Sequence, residues 1–155
     1  MPRRFSFRLQ PILRLREALE KDAQRHLAGM MEHQRECEAS LDALARNRTS
    51  VLEARRARPG DLLDIPAWKA AERYLVVIDR RILTAQEALA ESIKRVLDAR
   101  QALTQAHREH LMLVRLKERK WEQHQVDTFR EEAKEADDLT ILRYRRASKA
   151  PLTAS

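Results

Sequence analysis

From Trp68 to Leu113, apolar and small residues recur at alternating steps of three and four: Trp68, Ala71, Leu75, Ile78, Ile82, Ala85, Leu89, Ser92, Val96, Ala99, Leu103, Ala106, His110 and Leu113. A 3.5-residue repeat that never slips keeps one stripe of a helix turned toward one partner, so this stretch predicts a coiled-coil seam. One row of the seam is large (Trp68, Leu75, Ile82, Leu89, Val96, Leu103) and the other mostly small (Ala71, Ala85, Ser92, Ala99, Ala106), which lets a partner backbone come close. No proline interrupts residues 12–58 or 67–150, so two long helices can form.

The punctuation between them is Pro59-Gly60-Asp61-Leu62-Leu63-Asp64-Ile65-Pro66, which holds the sequence's one Pro-Gly pair. It predicts a turn over 58–65, with Asp64 or Ile65 as N-cap and Pro66 in the first turn of the second helix, where a missing N–H costs nothing. The first helix, over about 9–57, carries Leu9, Ala23, Met30, Cys37, Leu44 and Val51 on one row and Leu13, Glu20, Leu27, Gln34, Leu41, Arg48 and Arg55 on the other. It is a poorer copy of the seam but suffices as partner. The expected fold is therefore all-α: a single coiled-coil domain over 1–155, an antiparallel helical hairpin in which residue i faces roughly residue 122 − i. Val51 then meets Ala71, and Leu9 meets Leu113.

Beyond Leu113 the seam positions turn polar: Lys117, Lys120, His124, Asp127, Glu131, Lys134 and Asp138. The second helix, over about 66–146, is thus expected to overhang its partner from Val114 to Arg146. At 1.5 Å per residue the hairpin is about 70 Å long and the overhang about 45 Å. The tail 147–155, with Pro151 and small polar residues, is expected to be disordered.

Composition excludes several function classes. Ala, Glu, Lys, Leu and Arg make up more than half of the chain, and seven aromatics leave little for a globular core. No apolar run approaches the ~20 residues of a membrane span, and Arg8, Gln10, Arg14 and Arg16 break the stretch where a secretory signal would be apolar. A cytoplasmic protein is expected. Cys37 is alone, which fits a reducing compartment and a small apolar role. The net charge of +7 is spread evenly, +3 over residues 1–65 and +4 over 66–155, unlike a nucleic-acid-binding arm.

No catalytic, cofactor or metal site is expected. Gly29 and Gly60 are isolated and cannot form a phosphate loop. His107 and His110 share a helical face, but no third ligand accompanies them. Carboxylates such as Glu131 and Glu132 are adjacent on a helix and point apart. What stands out is apolar residues off the seam, in three groups. Tyr74, Val76 and Val77 lie near the turn. Leu111, Met112, Val114 and Leu116 lie where Phe5, Phe7 and Leu9 should cover them. Trp121, Val126 and Phe129 lie on the overhang and, with the first group, read as docking surfaces, with homodimerisation as the main rival.

The opening Phe5-Ser-Phe7-Arg8-Leu9-Gln10, the Trp68-x5-Tyr74 pair followed by Ile78 and Ile82, and the run Leu116-Lys-Glu118-Arg119 continuing to Arg130, Glu132, Lys134, Asp137, Asp138 and Leu139 resemble the FliJ family of flagellar type III export proteins. The resemblance implies a cytoplasmic, non-enzymatic coiled-coil stalk similar to that of rotary ATPases, peripherally associated with the inner face of the cell membrane. Its implied partners are the hexameric flagellar export ATPase and its regulator, the export-gate membrane protein, and export chaperones. By the same resemblance, gate docking carries over to Tyr74 and Ile78, with Val77 beside them. Arg81 and Ala85 stand where family members have a small residue and a histidine. The ATPase contact is assigned to Lys117, Arg119, Lys120, Trp121, Phe129, Arg130 and Lys134. Two alternatives stand beside it: the stalk of a virulence injectisome, which shares the architecture, and, from another class, a basic scaffold or nucleic-acid-binding coil built on the 24 arginines. The Phe-x-Phe-x-Leu-Gln start leans toward the flagellum.

Overall fold

The computed structural model describes residues 4–56 and 62–149. Nearly all of them belong to two helices, α1 (Gln10–Ala54) and α2 (Ile65–Ser148), and no strand occurs among the described residues. The helices pack against each other as in a helical-hairpin coiled coil. Their contacts divide the chain into two compact units, Met1–Glu17 with Arg108–Ser155, and Ala18–His107.

The helix ends follow local chemistry. At the start of α1 the Gln10 N–H donates to the Phe7 carbonyl (3.0 Å) and the Leu13 N–H to that of Leu9 (2.9 Å), while Pro11 sits in the first turn, where its missing donor is not needed. α2 begins on Asp64, whose Oδ1 accepts from the Ala67 N–H (3.2 Å) and whose carbonyl accepts from the Trp68 N–H (3.0 Å). Of the two expected caps, Asp64 serves, because only a short side chain with an acceptor can satisfy a free first-turn N–H. α1 closes with the Arg56 N–H on the Glu53 carbonyl (3.1 Å). The expected Pro59-Gly60 turn and residues 150–155 of the expected tail lie outside the described residues, whereas Ala147 and Ser148 continue α2.

In the Ala18–His107 unit the buried residues are Leu75, Ile78, Ser92, Val96 and Ala99, all on the α2 seam. Ile78 is 0% and Ser92 1% exposed. Ser92 adds no unpaired polar group, since its hydroxyl donates to the Leu89 carbonyl at 2.7 Å. The facing rows of α1, from Ala23 and Leu27 through Cys37 and Leu41 to Val51 and Arg55, are half-buried, as two helices alone can only partly enclose a seam. Polar pairs pin the antiparallel register. Asn47 Nδ2 donates to Tyr74 Oη (3.0 Å), Arg48 Nε to Asp79 Oδ1 (2.7 Å), and His107 Nδ1 lies 2.8 Å from Glu20 Oε1. Asn47 meets α2 about where the 122 − i rule places it, while Arg48 and Glu20 reach about a turn further toward the C-terminus of α2. Their long side chains span that distance.

In the other unit Leu13 is the buried residue of α1. Arg16 pairs with Glu109, and Lys117 Nζ donates to Gln10 Oε1 at 2.9 Å. The segment Arg4–Phe7 is not helical. It lays Phe5 against Trp121, ring centroids 5.1 Å apart, and against His124, 5.5 Å. This corrects the expectation that α2 overhangs its partner from Val114 onward, since Lys117, Trp121 and His124 all have partners. Of the group expected under the N-terminal segment, Leu111, Val114 and Leu116 are half-buried, Leu116 beside Phe5, Phe7 and Leu9, and Met112 remains 70% exposed. The physical reason is rise per residue. Non-helical chain advances up to about 3.3 Å per residue against 1.5 Å in a helix, so the same few residues reach about twice as far along α2. From Glu131 through Lys149 every residue is exposed.

Candidate partner-binding surfaces

Within the Ala18–His107 unit, Tyr74 and Val77 stand on the surface of α2 at 41% and 44% exposure, and Ile78 beside them is fully buried. Consecutive helical residues are turned by about 100°, which separates Val77 from Ile78 across the edge of the seam. Ile78 therefore touches a partner only if the helices part. It supports the surface from behind. Tyr74 keeps its ring outward and its hydroxyl on Asn47, so its orientation is fixed before any partner arrives.

Next to Val77 a groove of about 590 Å³ runs between α1 and α2, lined by Ser40 and Leu44 on one side and Arg80, Arg81, Thr84, Ala85 and Ala88 on the other. Small side chains at Ser40, Ala85 and Ala88 form it, and the two arginines supply a cationic rim. No pattern in the sequence marked the groove, because the off-seam Ser40 and Ala88 carry no hydropathy signal; only their small size, beside the small seam residue Ala85, could have pointed to it. Nearer the helix ends, a cavity of about 570 Å³ is lined by residues including Val51, Leu62, Leu63, Trp68, Ala71 and Tyr74. There the Arg55 guanidinium lies 3.9 Å over the Trp68 ring in a cation–π contact.

In the unit formed by the two chain ends, the residues singled out on α2 fall into two sets. Lys117, Lys120 and Trp121 gather around the N-terminal segment. Lys117 bonds Gln10, Lys120 lines an apolar groove of about 770 Å³ with Phe5, Phe7, Leu9 and Leu116, and Trp121 is 45% exposed under Phe5. Arg119 is exposed beside them. Phe129, Arg130 and Lys134 stand apart on the bare part of α2. Phe129 is 71% exposed, and Arg130 lies 3.9 Å from Asp127 in an exposed ion pair.

These features are exposed apolar and cationic patches on the two helices. Among the described residues, no group of three or more His, Cys, Asp or Glu is placed to hold a metal ion. No helix there is long and apolar enough to cross a membrane. Cys37 is half-buried on the α1 seam, its sulfur 3.7 Å from His33 Nε2.

A model of the flagellar FliJ protein family matches residues 5–149, the span from the Phe5 contact to the last described residue. The chain belongs to the FliJ family. FliJ membership makes this a protein related to flagellar export. Comparison with the curated proteins returns no match, and comparison with solved structures returns none. In this FliJ chain the Phe5-x-Phe7 start, which carried the resemblance, is also the segment that packs on Trp121 and His124.

Proposed function

We propose that this FliJ-family chain acts as a coiled-coil stalk of the flagellar export machinery, binding the hexameric export ATPase and docking on the export gate. The match over residues 5–149 carries the reading. Two surface features support its division of labour. The end unit offers cations and aromatics on one helix, Lys120, Trp121, Phe129, Arg130 and Lys134, suited to an anionic protein surface with apolar pockets. The Tyr74–Val77 face, with its cationic groove, suits a gate segment that inserts an apolar side chain and carries acidic residues nearby. Ile78 belongs to the hairpin seam, and its part in docking is to hold Tyr74 and Val77 in place. Escort of export chaperones and indirect association with the cell membrane belong to the same proposal, as does contact with the regulator of the ATPase.

The test is ATP hydrolysis by the same organism's flagellar export ATPase with and without this protein. Stimulation that is lost in Trp121→Ala and Phe129→Ala, and kept in Tyr74→Ala, supports the assignment. No stimulation by the wild-type chain refutes the ATPase contact. For the gate, Tyr74→Ala should weaken binding of the gate's cytoplasmic domain by about thirtyfold, the effect of losing one hot-spot aromatic. Equal binding by the variant refutes that surface.

A further inference from the structure

The α2 residues proposed for the ATPase contact stand in two conditions. Phe129, Arg130 and Lys134 are exposed on the distal part of the helix, whereas Lys117 and Trp121 are already engaged from within the chain. Lys117 Nζ donates to Gln10 Oε1, and the Phe5 ring stands edge-on to Trp121 with centroids 5.1 Å apart. A partner side chain that packs on the same side of the indole has to take the place of Phe5.

The segment that carries Phe5 can be exchanged. Arg4–Phe7 is not helical, and α1 begins only at Gln10, with its first bonds running from the Gln10 N–H to the Phe7 carbonyl and from the Leu13 N–H to that of Leu9. Residues 4–6 can therefore swing about Phe7 without breaking a bond of the helix. Phe5, Phe7 and Leu9 are half-buried against α2 while Arg4, Ser6 and Arg8 between them are exposed. These apolar side chains do not fill the space they face. A groove of about 770 Å³ stays open between them and Leu116, Lys120 and His124, where a close-packed contact would leave none. Atoms without neighbours on one side forgo dispersion energy, so a partner that fills the groove gains what the segment leaves unused. The charges that line the groove are cationic on both walls, Arg4 and Arg8 on the segment and Lys120 on α2. They favour an apolar side chain with a carboxylate beside it.

We propose that Arg4–Phe7 is a displaceable strap, which covers Trp121 in the free chain and gives way when the ATPase docks. It presupposes the ATPase contact proposed for this unit. Docking begins on the exposed Phe129, Arg130 and Lys134 and is completed at Trp121 and Lys120 once Phe5 has left. Only chains with the strap lifted are competent for the completed contact, so the strap weakens the apparent affinity for the ATPase.

The test uses the full chain with Cys37→Ala and Ser6→Cys, a nitroxide spin label attached at position 6, and the same organism's flagellar export ATPase. Alone, the parent chain should give the broadened spectrum of a seated segment, and Phe5→Ala in the same background the narrow lines of a free one. Saturating ATPase should narrow the parent spectrum toward that of Phe5→Ala. In titration, Phe5→Ala should bind the ATPase about two- to tenfold more tightly than the parent, the equilibrium worth of the ring contact that no longer has to be broken. Circular dichroism establishes that the hairpin is intact in each chain. ATPase that binds the parent and leaves the lines broad overturns the strap while the ATPase contact stands, as does equal or weaker binding by Phe5→Ala. Narrow lines in the free parent chain overturn it too, since nothing is then covered. A parent chain that does not bind the ATPase refutes the contact itself and the strap with it.

Discussion

The Phe5 ring stands edge-on to Trp121, with centroids 5.1 Å apart and planes at 76°, and His124 closes the cluster at 5.5 Å from Phe5. The contact joins residues at opposite ends of the sequence. It also ties the non-helical start of the chain to a part of α2 that has no α1 residue beside it, since α1 begins only at Gln10. The N-terminal segment thus takes over as seam partner where the helix stops.

Removing that ring should be visible without unfolding the chain. Phe5→Ala loses an edge-to-face contact of about 0.5–1.5 kcal/mol together with the apolar area it buries. The expected outcome is a melting temperature lowered by a few degrees and a red-shifted Trp121 emission, read in a Trp68→Phe background so that one tryptophan reports. Unchanged emission would mean that Phe5 does not cover Trp121 in solution.

Ile78 and Val77 are neighbours in sequence with opposite environments, fully buried and 44% exposed. Truncating Ile78 to Ala leaves a cavity in the seam and should cost about 2–5 kcal/mol in urea unfolding, whereas Val77→Ala should stay within about 0.5 kcal/mol. Equal effects would show that the seam is rotated from the one described.

The Arg48–Asp79 pair is half-exposed on both sides, 43% and 51%. Solvent screens such a pair, so a double-mutant cycle with Arg48→Gln and Asp79→Asn should give a coupling of about 0.2–1 kcal/mol. The coupling should fade as salt approaches about 1 M, where screening acts over roughly 3 Å. A coupling that persists in high salt would mean that packing, and not charge, joins the two residues.

The α2 seam was legible because its repeat is long and uninterrupted: the buried Leu75, Ile78, Ser92, Val96 and Ala99 are all seam positions. The same pattern in α1 was weaker, with Glu20, Gln34 and Arg48 on the seam, yet all three face inward and are half-buried. Two of them show why polar residues are tolerated there, Glu20 meeting His107 and Arg48 meeting Asp79 across the helices. What stayed hidden was the path of Arg4–Phe7. Periodicity fixes a residue's place only while the rise per residue is known, and it ceases to be known where the helix ends. The surfaces were legible in part. Tyr74 and Phe129 announced themselves as aromatics off the seam, whereas the groove beside Val77 is built by small residues with no hydropathy signal.

The final prediction concerns the bare part of α2. From Glu131 onward every described residue is exposed, so this stretch adds helical backbone without tertiary contacts. An unpaired helix of that length is marginal in water and frays without cooperativity. Truncation after Arg130 should therefore leave the midpoint of the cooperative thermal transition unchanged while removing a broad, early loss of ellipticity that precedes it in the full chain. Truncation after Leu116 removes Trp121 and His124 as well, and should lower the midpoint by stripping Phe5 of its partners. The pair of melting curves separates the two cases. A midpoint that falls on truncation after Arg130 would show that the distal helix packs on something in solution, and a midpoint indifferent to truncation after Leu116 would remove the N-terminal segment from the fold's stabilising contacts.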